Sequence, residues 1–388
     1  MTPITWPAFA SIHPFAPRDQ IEGYQGVCDF LEKALCAVTG LDAVSLQPNS
    51  GAQGEYAGLV IIRAFHRDRG DTDRTVVFIP SSAHGTNPAS AVMAGFEVVI
   101  LSCDEAGNID LDDVRAKLDM HGARLGALMV TYPSTHGVFE RSIRTVCSMI
   151  HEAGGQVYLD GANMNALLGQ AKLGDIGFDV AHINLHKTFS TPHGGGGPGA
   201  GPLCARENLS PFLPAPIISL INQAKGPTYS LVTPEKSVGK MGAFHGNFGV
   251  LVRAYSYIRS LGAEGLRQIS ENAVLNANYL LARLKDTYAL PYDRICMHEV
   301  VLSASKQKKL GVRGLDIAKR LLDFGFHAPT MYFPLIVEEA LMIEPTEAES
   351  KETLDAFIDA LLYIAEESAT APDRVNHAPY TTPVSRLD

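Results

Sequence analysis

Six short, almost wholly apolar runs recur at residues 75–79, 97–101, 127–132, 156–160, 180–184 and 202–205. Segments with helical spacing separate most of them, at 87–94, 110–121 and 142–153, with another at 53–69 before the first. This alternation constrains the fold more than any other feature. A strand covered on both faces loses polar–apolar alternation and reads as a continuous apolar run. Helices crossing between parallel strands supply that cover. The chain therefore predicts an α/β large domain with a mainly parallel sheet. Upstream, Val27, Phe30, Leu31, Ala34, Leu35 and Val38 share one helix face, and Thr39-Gly40 supplies a stop.

Past residue 240 the pattern changes. Long helical segments run over 247–260 and 263–285, a mixed region over 292–345, and a further helix over 348–367. The resulting division is an N-terminal arm and helix (1–39), a large domain (40–240), a smaller α+β domain (241–368) and an irregular C-terminal segment (369–388). Pro3, Pro7, Pro14 and Pro17 make residues 1–20 an arm over another surface. Pro372, Pro379 and Pro383 argue for irregularity at the other end. Glu344 to Glu347 reads as the acidic start of a helix.

Charge and composition exclude several function classes. Lys plus Arg number 32 against 42 Asp plus Glu, a formal net charge of −10. Phosphate backbones need clustered cations, so nucleic acid is not an expected partner. No apolar run reaches the roughly 18 residues of a membrane span. The N-terminus lacks a basic region followed by an apolar stretch, so no secretory signal is visible. Cys28, Cys36, Cys103, Cys147, Cys204 and Cys296 are widely spaced, without a C-x-x-C motif. They read as free thiols in a reducing cytoplasm.

The chemistry gathers at polar turns that follow apolar runs. Asp160 closes the run at 156–160, and Lys187 stands 27 residues later in Asn184-Leu185-His186-Lys187-Thr188, just ahead of Gly194 to Gly197. A carboxylate at the carboxyl end of a central parallel strand points into the crevice where open α/β sheets bind ligands. It can hold a pyridinium nitrogen protonated, and a desolvated lysine can form a Schiff base. That pairing is the arrangement of large aminotransferase-like pyridoxal phosphate enzymes. Ser50-Gly51-Ala52 opens a helix and suits a phosphate, because first-turn amides and the helix dipole both attract anions. His84, after the run at 75–79, can stack on a flat ring or exchange protons. Thr135, after the run at 127–132, can reach a phenolic oxygen. Each has a plainer reading alone: a surface lysine, a helix cap, a capping histidine. One shared ligand site accounts for all of them together.

These runs resemble the glycine cleavage system P-protein family, glycine dehydrogenase (decarboxylating). The likeness lies in residues 46–56, 82–91, 131–138, 156–165 and 184–199, and continues at 326–330 and 342–347. Residues 241–248 are similar to the split bacterial form, in which subunit 2 carries the active site. The resemblance implies a fold-type I pyridoxal phosphate-dependent transferase fold. It implies Lys187, Asp160 and His84 as catalytic residues. The implied cofactor-binding set is Ser50, Gly51, Ala52, His84, Thr135, Asp160, Ala162, Asn184, His186 and Lys187, with no metal ligand. Whether His84, His186 or His193 touches the ring stays open. The implied reaction is decarboxylation of glycine with transfer of its aminomethyl group to the lipoyl arm of the H-protein and release of CO2. Another pyridoxal phosphate-dependent amino-acid lyase or decarboxylase on the same scaffold is the alternative. Subunit 1, in an α2β2 assembly, is the implied partner. A catalytically silent assembly subunit would have no need of both Asp160 and Lys187. Relative to the family, both ends of the chain are expected to be clipped.

Overall fold

The computed structural model describes residues 2–13, 15–191, 197–223 and 226–386. His193 and most of the glycine run lie outside the described residues.

Seven strands form the main sheet: Ala43–Ser45 (β1), Val76–Pro80 (β2), Glu97–Leu101 (β3), Leu125–Thr131 (β4), Gln156–Gly161 (β5), Val180–Ile183 (β6) and Leu203–Ala205 (β7). Their order is β1-β7-β6-β5-β4-β2-β3. The five strands from β3 to β6 are parallel, while β7 runs antiparallel to both β6 and β1. The mainly parallel sheet expected from the apolar runs is present. The three residues of β1 were too few to show a period. β3 is less buried than its apolar sequence suggests, because it lies at the sheet edge with Glu97 and Ile100 exposed.

The Gly51–Asp68 helix packs Ala57, Leu59, Ile61, Ile62 and Phe65 against Val77, Ile79, Met129, Tyr158 and Leu203. Each fully buried side chain of this size contributes about 1.5–3 kcal/mol of transfer free energy. Gly58 sets the separation of helix and sheet. A Cβ there would lie 2.1 Å from Cε2 of Tyr158. A hairpin of Ile217–Gln223 with Gly226–Val232 had no clear strand signal, since Gly226 and Pro227 interrupt its alternation.

The chain divides into two compact units. The first holds Met1–Ser102, Ile109–Tyr132 and Arg141–Arg267; the second holds Cys103–Asn108, Pro133–Glu140 and Gln268–Asp388. The division falls within the Phe248–Leu284 helix, whereas the sequence pattern changes at 240. Gly262, with φ 62°, interrupts that helix between the two expected helical segments.

The second unit has a three-stranded antiparallel sheet, with Ala340–Ile343 between Val300–Ser303 and Thr330–Met331. The Gly314–Asp323 and Lys351–Thr370 helices close its core through Ile317, Leu321, Ile358, Leu361 and Ile364. Two expectations are corrected here. Glu344 and Glu347 do not start a helix: Glu344 follows a strand directly, and the helix begins at Lys351, capped by Ser350. The 369–388 segment is not irregular throughout. Pro372 opens a short helix, Pro372–Asn376, because Val375 is buried in the core of the second unit. Among the described residues the six cysteines form no disulfide. No described helix is long and apolar enough to cross a membrane.

Candidate active site

β5 delivers Asp160 to its carboxyl end, beside Thr131 of β4 and His182 of β6. The side chain is buried. Asn87 donates its amide to Oδ2 at 2.9 Å, and the Ala162 amide donates to Oδ1 at 3.1 Å. Burial alone would favour the neutral acid. His182, these two donors and Lys187 outweigh it and hold the carboxyl below its usual value. Asp160 is thus a buried carboxylate kept ionised, as a pyridinium partner must be.

Behind it, His182 and Tyr158 are fully buried, with Tyr158 Oη 2.6 Å from His182 Nδ1. Burial pushes the Tyr158 phenol well above its ordinary value, so it keeps its proton. It therefore donates to Nδ1. With Tyr158 donating to Nδ1, the imidazole carries a proton on Nε2, which faces Asp160 Oδ1 at 3.4 Å. That separation is long for a hydrogen bond but short for electrostatic support.

The Thr86–Met93 helix presents three polar side chains to this region. Asn87 reaches Asp160, while Thr86 and Ser90 donate to the buried Glu55 at 2.9 and 2.8 Å. His84 lies exposed just ahead of this helix, with Nδ1 2.7 Å from Thr86 Oγ1.

Lys187 sits on the single helical turn Leu185–Thr188 that follows β6. Its side chain is exposed, and its positive charge is among the groups that stabilise ionised Asp160. Met164 N–H donates to Thr188 Oγ1 at 2.9 Å, tying this turn to the loop after β5. His186 accepts from the Ala200 amide at 3.2 Å, and Gly199 packs on its ring. Its Nδ1 is committed to the chain that leads into β7.

Ser50 caps the Gly51–Asp68 helix by accepting from Gln53 N–H at 3.2 Å. The helix itself leaves the Gly51 and Ala52 amides without intrahelical acceptors. Two neighbours press on this turn. A Cβ at Gly51 would lie 2.8 Å from the Asn184 side-chain amide, and one at Gly201 would lie 2.2 Å from Ser50 O. Asn184 Oδ1 is buried and has no hydrogen-bond partner.

The first unit therefore brings together Ser50, Gly51, Ala52, His84, Asp160, Ala162, Asn184, His186 and Lys187. Thr135 is buried in the 133–140 segment of the second unit and is described apart from them. Sequence reasoning missed Glu55, Asn87, Tyr158 and His182. A polar His182 within an otherwise apolar central strand was the one available signal. Glu55 and Asn87 had none, because helix faces alone do not reveal which carboxylate a sheet will bury.

Pyridoxal phosphate fits these residues. They offer a buried carboxylate held ionised, a primary amine whose charge acts on it, and a helix N-terminus whose first amides lack intrahelical acceptors beside an unpartnered Asn184 oxygen. Known proteins agree. Residues 54–217 match the aminotransferase class-V family, and residues 269–380 match the family described as glycine dehydrogenase, C-terminal domain. The chain is 55% identical, over 99% of its length and 77% of the relative's, to the probable glycine dehydrogenase (decarboxylating) subunit 2 of Halalkalibacterium halodurans. The corresponding protein of Exiguobacterium sibiricum is 55% identical over 98% of this chain and 76% of its own. Among solved structures, an inhibitor-bound glycine decarboxylase (P-protein) of the glycine cleavage system superposes with a TM-score of 0.77 at 20% identity. That match covers 94% of this chain and 81% of the other. The sphingosine-1-phosphate lyase of Burkholderia pseudomallei gives 0.67 at 15% identity, over 92% and 80%. The structural likenesses establish the fold that this chain shares with them. The sequence identities go further: the chain belongs to the glycine dehydrogenase (decarboxylating) subunit 2 family.

Proposed function

We propose that this chain is the catalytic subunit of a glycine-decarboxylating enzyme of the glycine cleavage system. In the net reaction, the carboxylate of glycine leaves as CO2. The aminomethyl carbon bonds one sulfur of the lipoyl disulfide carried by the H-protein, and the other sulfur is reduced. The observation that carries this reading is the buried Asp160 at the end of β5, hydrogen-bonded by Asn87 and the Ala162 amide, with Lys187 on the turn after β6.

Bound there, pyridoxal phosphate supplies the electron sink that accepts the electrons left when CO2 departs. The protein's residues have separate tasks. Asp160 holds a proton on the ring nitrogen, and its own charge is secured by Asn87, Ala162 N–H and His182. Lys187 would supply the primary amine that holds the cofactor. Ser50, Gly51 and Ala52 hold the phosphate with Asn184 beside them. His84 and Ala162 would be among the residues that hold the cofactor, and His186 braces the segment that leads into β7. Burial of Asp160 keeps water from competing for its charge.

Subunit 1 completes the assembly as α2β2, and lipoylated H-protein is the carrier. Six widely spaced cysteines without a C-x-x-C motif suit a cytoplasmic setting. Exchange of labelled CO2 into glycine tests the proposal, with subunit 1 supplied and with H-protein present or omitted. Exchange that needs lipoylated H-protein supports it. Exchange indifferent to H-protein favours a carrier-independent amino-acid decarboxylase, and absence of exchange in the full mixture overturns decarboxylation altogether.

A further inference from the structure

Phe9, Ile12, Ile21, Tyr24, Leu231 and Phe248 wall a cavity of about 480 Å3 in the first unit. That is the size of a small-molecule site, which is mostly apolar with a few placed polar groups. Neither Asp160 nor Lys187 lines it, nor does the Ser50-Gly51-Ala52 turn. Among the described residues around it there is no Lys, Arg, Asp or Glu. A neutral occupant is therefore favoured, because a charge buried without a counter-charge is costly.

Two side-chain amides line this space. Gln25 lies on the inward side of the Glu22–Thr39 helix, with Cys28, Leu31 and Leu35, and is 4% exposed. Its Nε2 has no hydrogen-bond partner among the described residues. Asn49, from the turn ahead of the Gly51–Asp68 helix, brings an Oδ1 that is unpartnered in the same way. The frame around them is fixed. Gln53 Oε1 accepts from the Asn49 backbone N–H at 2.8 Å, and Gln47 Nε2 donates to the Phe244 carbonyl at 3.0 Å. His245 also lines the cavity. Burial pulls its imidazole down to about 4, against an upward pull from the Pro216 backbone, so the ring is neutral at physiological pH.

A buried amide nitrogen without a partner destabilises the fold that contains it. A carboxamide brought into the cavity would relieve this, since its single head carries both a donor and an acceptor. It matches Gln25 and Asn49 whichever way their own amides are turned. We infer that this cavity is a second ligand site, for a small neutral molecule with an apolar body and a carboxamide head that Gln25 and Asn49 recognise. The inference is independent of the reaction proposed above. It explains why the Glu22–Thr39 helix buries a glutamine on a side otherwise given to leucine and cysteine.

Benzamide, benzoate, benzylamine and toluene share one ring and differ in its head. Ligand-observed NMR titrations of the full chain rank them. Benzamide is expected to bind saturably, and at least about tenfold more tightly than the other three. Gln25→Met keeps the side-chain length and removes the amide, so benzamide should fall to the level of toluene. The same variant should melt no lower than the unsubstituted protein, because the amide it removes has no partner. Saturating pyridoxal phosphate should leave benzamide bound. Benzamide that does not saturate, that binds no better than benzoate and benzylamine, that is undiminished by Gln25→Met or that pyridoxal phosphate displaces overturns the inference. A lower melting temperature in Gln25→Met would show the amide satisfied within the fold and overturn it too. The ranking of the four probes is read on the unsubstituted protein and does not depend on how the variant folds.

Discussion

Tyr158 Oη and His182 Nδ1 stand 2.6 Å apart, both fully buried, directly behind the carboxylate of Asp160. Tyr158→Phe removes the donor and leaves Nδ1 of His182 without its partner. An unsatisfied buried group costs about 1–3 kcal/mol, so thermal unfolding is expected several degrees lower. The pair should also be coupled. A double-mutant cycle with His182→Phe is expected to return an interaction energy of roughly 0.5–3 kcal/mol. Strict additivity would remove the hydrogen bond from this account.

Asp160→Asn tests the pyridinium partner. The amide cannot hold the ring proton as the carboxylate does, and losing a preorganised charge of this kind costs about 3 kcal/mol, roughly a hundredfold in CO2 exchange. The same change has a signature without cofactor. The folded carboxyl titrates below the ordinary 3.8 of an aspartate, so its stabilising contribution is fully present above about pH 4. It is lost as pH falls through the folded value. Melting temperature should therefore drop more steeply below pH 4 in the unsubstituted protein than in Asp160→Asn. Parallel acid profiles would contradict the ionised state assigned here.

Lys187→Ala should abolish the yellow colour of covalently attached cofactor and its fixation by borohydride. Lys187 is exposed on a single helical turn, so the fold itself should be unaffected. The check is absorbance and mass after reduction with pyridoxal phosphate present. Fixation at the unsubstituted level would move the attachment point to another lysine.

Gly201→Ala probes the phosphate turn. Its Cβ would meet the backbone oxygen of Ser50 at 2.2 Å, and backbone cannot yield as a flexible side chain can. Overpacking of this kind costs about 1–3 kcal/mol. Cofactor affinity should fall with stability, because the displaced residue, Ser50, caps the helix proposed to hold the phosphate. Equilibrium titration with pyridoxal phosphate measures it.

Arg320 tests the second unit independently. It is buried between Glu367 at 2.9 Å and Asp323 at 2.9 Å, on two helices of that core. Arg320→Ala takes the shared cation from both carboxylates, leaving Glu367 with Arg374 at 3.2 Å and Asp323 with the Tyr380 and Thr381 amides; breaking a buried pair costs up to about 3–5 kcal/mol. Denaturant unfolding should show a markedly lower midpoint, with Arg320→Lys in between.

The local elements were legible because each reads out a nearest-neighbour rule. Val76–Pro80 and Gln156–Gly161 are apolar enough to demand cover on both faces, and Ser50 and Gly51 carry a helix start in their own chemistry. Asp160 and Lys187 were legible too, since a strand end and the following turn place a side chain without reference to the rest of the chain. What surrounds them was not. Glu55 and Thr86 are 31 residues apart, Asn87 and Asp160 are 73 apart, and helix packing on the sheet alone decides that they meet. The sequence by itself determined which groups stand at the edge of the sheet. Only the tertiary structure decided which of them are buried, and burial turns an ordinary glutamate, tyrosine or histidine into a group that must find a partner.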